Sequence, residues 1–278
     1  MKIYRTEQGI VIDQEGKYFN VRDEDWDKFI NRKNLHQYVS DKIKTLTADN
    51  SQKALTNILP PIQHQEIWAS GVTYLRSREA RMEEAKDAGA GDFYARVYEA
   101  DRPELFFKAT ASRVVGDGGT VRIRKDSRWN VPEPELTLFI SSEGTIEGYT
   151  VGNDMSSRDI EGENPLYLPQ AKSYDASAAI GPCIYVPGRP IDSGTLIHLN
   201  INRQNKNVFS GEISINRMKR AHTELVEYLF RETSFPFGVF LMTGTGIVPP
   251  DHFTLETGDE VQISIDGIGT LTNTVSQR

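Results

Sequence analysis

A chain of 278 residues, 38% hydrophobic and 26% charged, is long enough for one or two globular domains. Acidic residues outnumber basic ones 39 to 32, a formal charge of −7 that argues against nucleic-acid and membrane-surface binding, both of which need a clustered basic excess. No run approaches the roughly 18 apolar residues of a membrane span, the opening MKIYRTEQGI lacks a signal-peptide core, and the single cysteine, Cys183, excludes an intramolecular disulfide. A cytoplasmic globular protein is expected.

In chain order, KIYRTEQGIVID, a Glu15-Gly16 turn and KYFNV predict an antiparallel hairpin. Trp26, Phe29, Ile30, Leu35, Val39 and Ile43 fall at helical spacing. The polar stretch to Asn57 and the prolines Pro60-Pro61 read as a linker, with a boundary near residue 65 between a small N-terminal α/β domain (1–65) and a larger domain (66–278). Residues 76 to 87, RSREARMEEAKD, predict a helix charged almost all round, either a solvated surface helix or a lid. Strands then predominate: Val121 to Lys125, Leu136 to Ser141, Glu147 to Val151, and the alternating apolar sets Ile197, Leu199, Ile201 and Val261, Ile263, Ile265. Gln204 to Asn207 reads as a turn into a return strand, and Asp266-Gly267 as a hairpin. Met218, Ala221, Leu225 and Leu229 predict a second helix, with Pro236 beyond its end. The fold class is α+β, with mixed sheets and few helices.

Chemistry concentrates in Pro132-Glu133-Pro134-Glu135, which enters a β run. Residues i and i+2 of a strand share a face, so Glu133 and Glu135 project together and repel unless a proton or a cation intervenes. Asp154 could end a neighbouring strand, and three carboxylates without His or Cys form a hard-oxygen set suited to Mg²⁺, Mn²⁺ or Ca²⁺. The competing reading is a solvated glutamate pair and an unrelated turn aspartate. Lys172 is either an exposed loop lysine or, beside a divalent cation, a base, because such a cation helps a lysine to lose its proton. Thr243-Gly244-Thr245-Gly246 carries a GxG, but Pro249-Pro250 blocks the helix of a phosphate fingerprint, leaving a loop of backbone donors for a carboxylate. None of the five histidines has metal spacing; His198 and His222 read as solvated, and Cys183, in an apolar run, as a packing residue.

Pro-Glu-x-Glu at 132–135, Gly-Asn-Asp at 152–154, Arg158-Asp159-Ile160, Lys172 and the Thr-Gly-Thr-Gly loop together resemble the fumarylacetoacetate hydrolase superfamily over about residues 66 to 275. Gly71-Val72-Thr73-Tyr74, the block Arg102 to Lys108, the block Glu163 to Gln170 and Thr243 to Pro249 look like its 2-keto-3-deoxy-D-arabinonate dehydratase branch. The resemblance implies a β-rich roll or barrel-like catalytic domain in a homo-oligomer, Mg²⁺ on Glu133, Glu135 and Asp154, and Lys172 beside a small 2-keto acid. Hydrolytic and decarboxylating members carry a His and a Glu where this chain has Ser77 and Ala80, so the water-activating pair is missing and dehydration is favoured. The expected reaction takes 2-dehydro-3-deoxy-D-arabinonate to 2,5-dioxopentanoate through an enolate stabilised by the metal. Lys172 would be the base and Glu104 or Glu79 the acid, with Thr73, Arg158, Gln170, Gly244 and Thr245 around the substrate. Acylpyruvate-type C–C hydrolysis, 2-oxo acid decarboxylation and 2-oxo-enoate hydration stay open as alternatives, as does a binding protein without activity.

Overall fold

The computed structural model describes residues 1–51, 55–84 and 91–277. Every residue of the strand Pro134–Ile140 is buried. Its run of apolar and β-branched residues suits a position covered on both faces. Antiparallel neighbours flank it, Ile146–Asp154 on one side and Val239–Met242 on the other. Val239–Met242 runs parallel to Glu66–Gly71, which pairs antiparallel with Glu104–Thr110. Beyond Ile146–Asp154 come Ala178–Tyr185 and then the N-terminal strands, making a mixed sheet of 12 strands.

The large sheet is the middle of three layers. Leu136, Leu138 and Ile140 alternate toward a five-stranded sheet that supplies Ile197, Leu199, Ile201, Val261 and Ile263 to a shared core. Phe139, one residue out of phase, faces the opposite core with Phe240, Phe29, Leu35 and Val39. The short helices Trp26–Ile30 and Leu35–Ile43 cover that second core. The strand order of the large sheet ends at both sides, so the described strands form stacked open sheets and not the closed barrel that the roll-or-barrel expectation allowed. No helix among the described residues is long and apolar enough to cross a membrane.

The N-terminal hairpin is a three-stranded meander, because the chain also turns at Glu7-Gln8, where the Thr6 hydroxyl donates to the Gly9 carbonyl and Gly9 takes a φ of +124°. Lys2 and Ile3 pair with Tyr185 and Ile184, so residues on both sides of position 65 share one sheet. The supposed linker contributes Ile58–Leu59, paired with Arg5 and Thr6. The first charged helix spans Leu75–Glu84, with 85–87 outside the described residues, and a further helix that its sequence did not announce follows at Gly91–Glu99. The later helix is confined to His222–Phe230; Met218 precedes it and bridges to Tyr74.

His222, expected to be solvated, is half-buried on the wall of an open cavity. Its ring lies 6.5 Å from that of Tyr149, and burial lowers its pKa from the usual 6.5. It faces a cavity with Lys33, His36, Glu143, Glu147, Arg189, Glu227 and Arg231. As pH falls, the unfolded chain therefore takes up a proton on this residue, near pH 6.5, before the folded state does. Stability from this residue is complete above that pH and declines as pH falls below it toward the lower folded value. Melting temperatures at pH 7.5 and 5.5, about one unit either side of that value, should therefore differ less in His222→Gln than in the parent. An equal difference in both would remove His222 as a source.

Candidate metal centre

The ends of central strands of the large sheet converge. Glu135 opens its strand opposite Gly152, Asp154 closes the neighbouring one, and the Asp154 amide donates to the Glu133 carbonyl at 3.0 Å. The ligand oxygens of Glu133, Glu135 and Asp154 lie within 4.8 Å of one another, and all three side chains are buried. The solvated glutamate pair is thus excluded.

Four cationic or amide groups hold these carboxylates. Lys172, from the short helix Leu168–Lys172, donates to Glu133 Oε2 at 2.6 Å and Asp154 Oδ2 at 3.2 Å, and stands 3.6 Å from Glu161 Oε1. Arg158 Nη2 donates to Glu133 Oε1 at 2.8 Å. Lys108 Nζ meets Asp154 Oδ1 at 2.5 Å and also donates to the carbonyls of Met155 and Lys172. The Gly244 amide donates to Glu135 Oε2 at 2.5 Å. Burial pushes the Glu135 carboxyl well above the usual range, and the charges of Asp154 and Glu133 push it further. Burial likewise lowers the Lys108 ammonium, against the pull of Asp154.

Among the described residues, Glu133, Glu135, Asp154 and Glu161 converge on Lys108, Arg158 and Lys172, and the raised Glu135 carboxyl shows that the site disfavours a further negative charge unless a cation joins it. A divalent ion among the three ligand carboxylates would relieve their mutual repulsion. The all-oxygen donor set suits Mg²⁺, with Mn²⁺ and Ca²⁺ as substitutes.

The predicted site residues separate into two groups. Glu133, Glu135, Asp154, Arg158, Lys172, Gly244 and Thr245 line one cavity together with Gly71, Val72, Ser77 and Phe106. Glu104 adjoins it: its carboxylate covers Gly71, where an added Cβ would come within 2.1 Å of Oε2. Thr73 acts from behind, its hydroxyl donating to the Thr243 carbonyl at 2.7 Å. Gln170 is exposed, its carbonyl accepting from Arg124. Glu79 is 51% exposed and lines a separate cavity with Arg76 and Arg217. Ser77, where the resemblance puts a histidine in other members, caps its own helix turn by bonding to Tyr74.

Two residues of the cluster carried no sequence-based role, Lys108 and Glu161. A signal existed for Lys108: Glu104, Phe106 and Lys108 alternate along one strand and share a face. Glu161 lacked one, since only the fold of helix Arg158–Glu163 turns it toward Lys172 and Ser156.

Buried carboxylates at the ends of central strands of a mixed sheet, ringed by lysine and arginine, define an oxygen-ligand metal-site protein. The family described as "Fumarylacetoacetate (FAA) hydrolase C-terminal" matches residues 66–276, and the chain belongs to the fumarylacetoacetate hydrolase family. A protein of Haloferax volcanii named a probable 2-keto-3-deoxyxylonate dehydratase is 48% identical over 217 residues, 78% of this chain and 74% of the relative. The 2-dehydro-3-deoxy-D-arabinonate dehydratase of Saccharolobus solfataricus is 44% identical over 224 residues, 80% of this chain and 75% of the relative. Among solved structures, a 2-keto-3-deoxy-D-arabinonate dehydratase complexed with magnesium and 2,5-dioxopentanoate superposes with a TM-score of 0.84 at 36% identity, covering 100% of this chain and 99% of that one.

Proposed function

We propose that the protein is a metal-dependent dehydratase of 2-keto-3-deoxy sugar acids, converting 2-dehydro-3-deoxy-D-arabinonate to 2,5-dioxopentanoate. The observation that carries this reading is the buried Glu133–Glu135–Asp154 set with Lys172 Nζ against it. Held by those three carboxylates, Mg²⁺ supplies Lewis-acid stabilisation of charge developing on the 2-keto oxygen. Lys172 takes the proton from C3, and its position between Glu133, Asp154 and Glu161 keeps Nζ inside the cavity. Arg158 orients Glu133 from the side opposite Lys172, since the two cations meet different oxygens of that carboxylate. The leaving C4 hydroxyl needs a proton, and Glu104, whose carboxyl covers the cavity residue Gly71, is better placed to give it than the exposed Glu79. Loss of water followed by tautomerisation balances the reaction without a redox partner. We assign the substrate carboxylate to the Thr245 side of the cavity wall, since the Gly244 amide already donates to Glu135. No imidazole stands at Ser77 to activate water for C–C hydrolysis, which favours elimination over that alternative. The family resemblance also supports action in the cytoplasm as a homo-oligomer.

The test is to incubate the Mg²⁺-loaded protein with 2-dehydro-3-deoxy-D-arabinonate and follow product mass. A product lighter by one water is expected. Cleavage with gain of water, loss of CO₂ or an unchanged substrate would each overturn the assignment.

A further inference from the structure

Val72 occupies an unusual position. Its φ is +55°, in the left-handed region that a β-branched side chain rarely enters. Outliers of this kind persist only where surrounding structure enforces them. Here the enforcement is visible on three sides.

On one side, Gly71 lies directly under the Glu104 carboxylate, which any side chain at this position would displace. On the other, Thr73 donates to the Thr243 carbonyl, and its own carbonyl accepts from the Lys219 amide at 2.8 Å. The Gly244 backbone that follows Thr243 presses on Thr73, since an added Cβ would come within 2.0 Å of its Oγ1, and the Gly244 amide holds Glu135. A single strained residue thus separates the residue beneath the proposed acid from the one that packs against Gly244, whose amide holds a metal ligand.

The third side is the Val72 side chain. It is 5% exposed and is the sole fully buried residue described in a small apolar cluster, with Met82, Val97 and Tyr98 packed against it. Those three belong to the helices Leu75–Glu84 and Gly91–Glu99. The end of the second helix is also pinned by Arg220, which donates to the carbonyls of Val97, Ala100 and Asp101. The pocket between the carboxylates is narrow, and Val72 is part of its wall together with Gly71 and Ser77.

We infer that Val72 is a positioning residue that couples the docking of this helix pair to the geometry of the metal centre: burial of its isopropyl group against the helices enforces the left-handed backbone that sets Gly71 under Glu104 and Thr73 behind Gly244. When the helices lift, Val72 loses its packing and the backbone relaxes toward ordinary φ. Only the turnover arm of the test below rests on the dehydratase reading; the exchange arm does not.

Val72→Gly accepts the left-handed conformation without strain but offers nothing for the helices to pack on. In the metal-free variant, amide hydrogen exchange across 75–84 and 95–99 should be faster than in the parent by about tenfold or more. In the Mg²⁺-loaded variant, kcat should fall by about tenfold or more while KM moves by less than about threefold, since assembly of the reacting groups is lost and not the binding charge. Val72→Ile, which keeps the β-branched anchor, should restore both quantities to within about twofold of the parent. If Val72→Gly fails to fold, Val72→Ala gives the same two changes at smaller amplitude. Unchanged exchange in a folded Val72→Gly or Val72→Ala protein would overturn the coupling. So would faster exchange accompanied by unaltered kcat in an enzyme that dehydrates its substrate.

Discussion

Lys172→Ala is expected to lower turnover by roughly 10² to 10⁴-fold, the usual contribution of a positioned general base, while leaving Mg²⁺ binding intact or tighter. Both directions follow from one set of distances. Nζ lies 2.6 Å from Glu133 Oε2, 3.2 Å from Asp154 Oδ2 and 3.6 Å from Glu161 Oε1, so its removal takes a cation from the middle of three carboxylates. The local potential becomes more negative, and a divalent ion is attracted more strongly. Folding of the metal-free variant should suffer, because breaking a buried ion pair from one side costs about 3–5 kcal/mol. Mg²⁺ should therefore raise the melting temperature of Lys172→Ala by more than it raises that of the parent. Single-turnover kinetics and titration calorimetry with Mg²⁺ read the two effects separately. Turnover within about tenfold of the parent would remove Lys172 as the base, and loss of Mg²⁺ binding would mean that the lysine supports the carboxylates and does not compete with a cation for them.

The parts of the site legible in the sequence were those written in strand periodicity. Glu133 and Glu135 could be placed side by side because alternation along a strand is fixed by the backbone, and Asp154 because it ends the next apolar run. Glu79 shows the opposite case. It sits on a helix whose charges gave no inward face, and the fold turns it to a cavity shared with Arg76 and Arg217. Gln170 and Lys172 are two residues apart on one short helix, yet one is exposed and the other fully buried. Two residues along a helix is a rotation of roughly 200°, so a motif that spans both cannot assign both to the same cavity. The three-layer architecture was only half legible. Alternating apolar residues announced the five-stranded sheet, but the pairing of Lys2 and Ile3 with Tyr185 and Ile184 joins positions far apart in the chain. Local patterns carry no information about such a pairing. Left-handed Val72 is the sharpest instance, since valine predicts the opposite backbone and only the helices packed on it explain the departure.

Lys108→Met should be the most destabilising single change near the centre in the absence of metal. Lys108 is fully buried, pairs with Asp154 Oδ1 at 2.5 Å, and donates to the carbonyls of Met155 and Lys172. Methionine fills nearly the same volume, so no large cavity term enters and the loss is electrostatic. An Asp154 carboxylate that keeps only Lys172 among the described cations, at 3.2 Å, together with two orphaned carbonyls, sets the cost at about 3–5 kcal/mol, a drop in melting temperature on the order of 10 °C. Mg²⁺ is expected to recover a large part of this, because a cation on Asp154 restores the missing counter-charge. The two carbonyls are not restored by metal, and one of them belongs to Lys172 itself. The helix Leu168–Lys172 therefore stays loosened when the charge is repaired, and the Mg²⁺-loaded variant should regain stability before it regains turnover. A parent-like melting temperature without metal would show that Asp154 does not depend on Lys108. Full turnover after addition of Mg²⁺ would show that the bond to the Lys172 carbonyl does not hold the base in place.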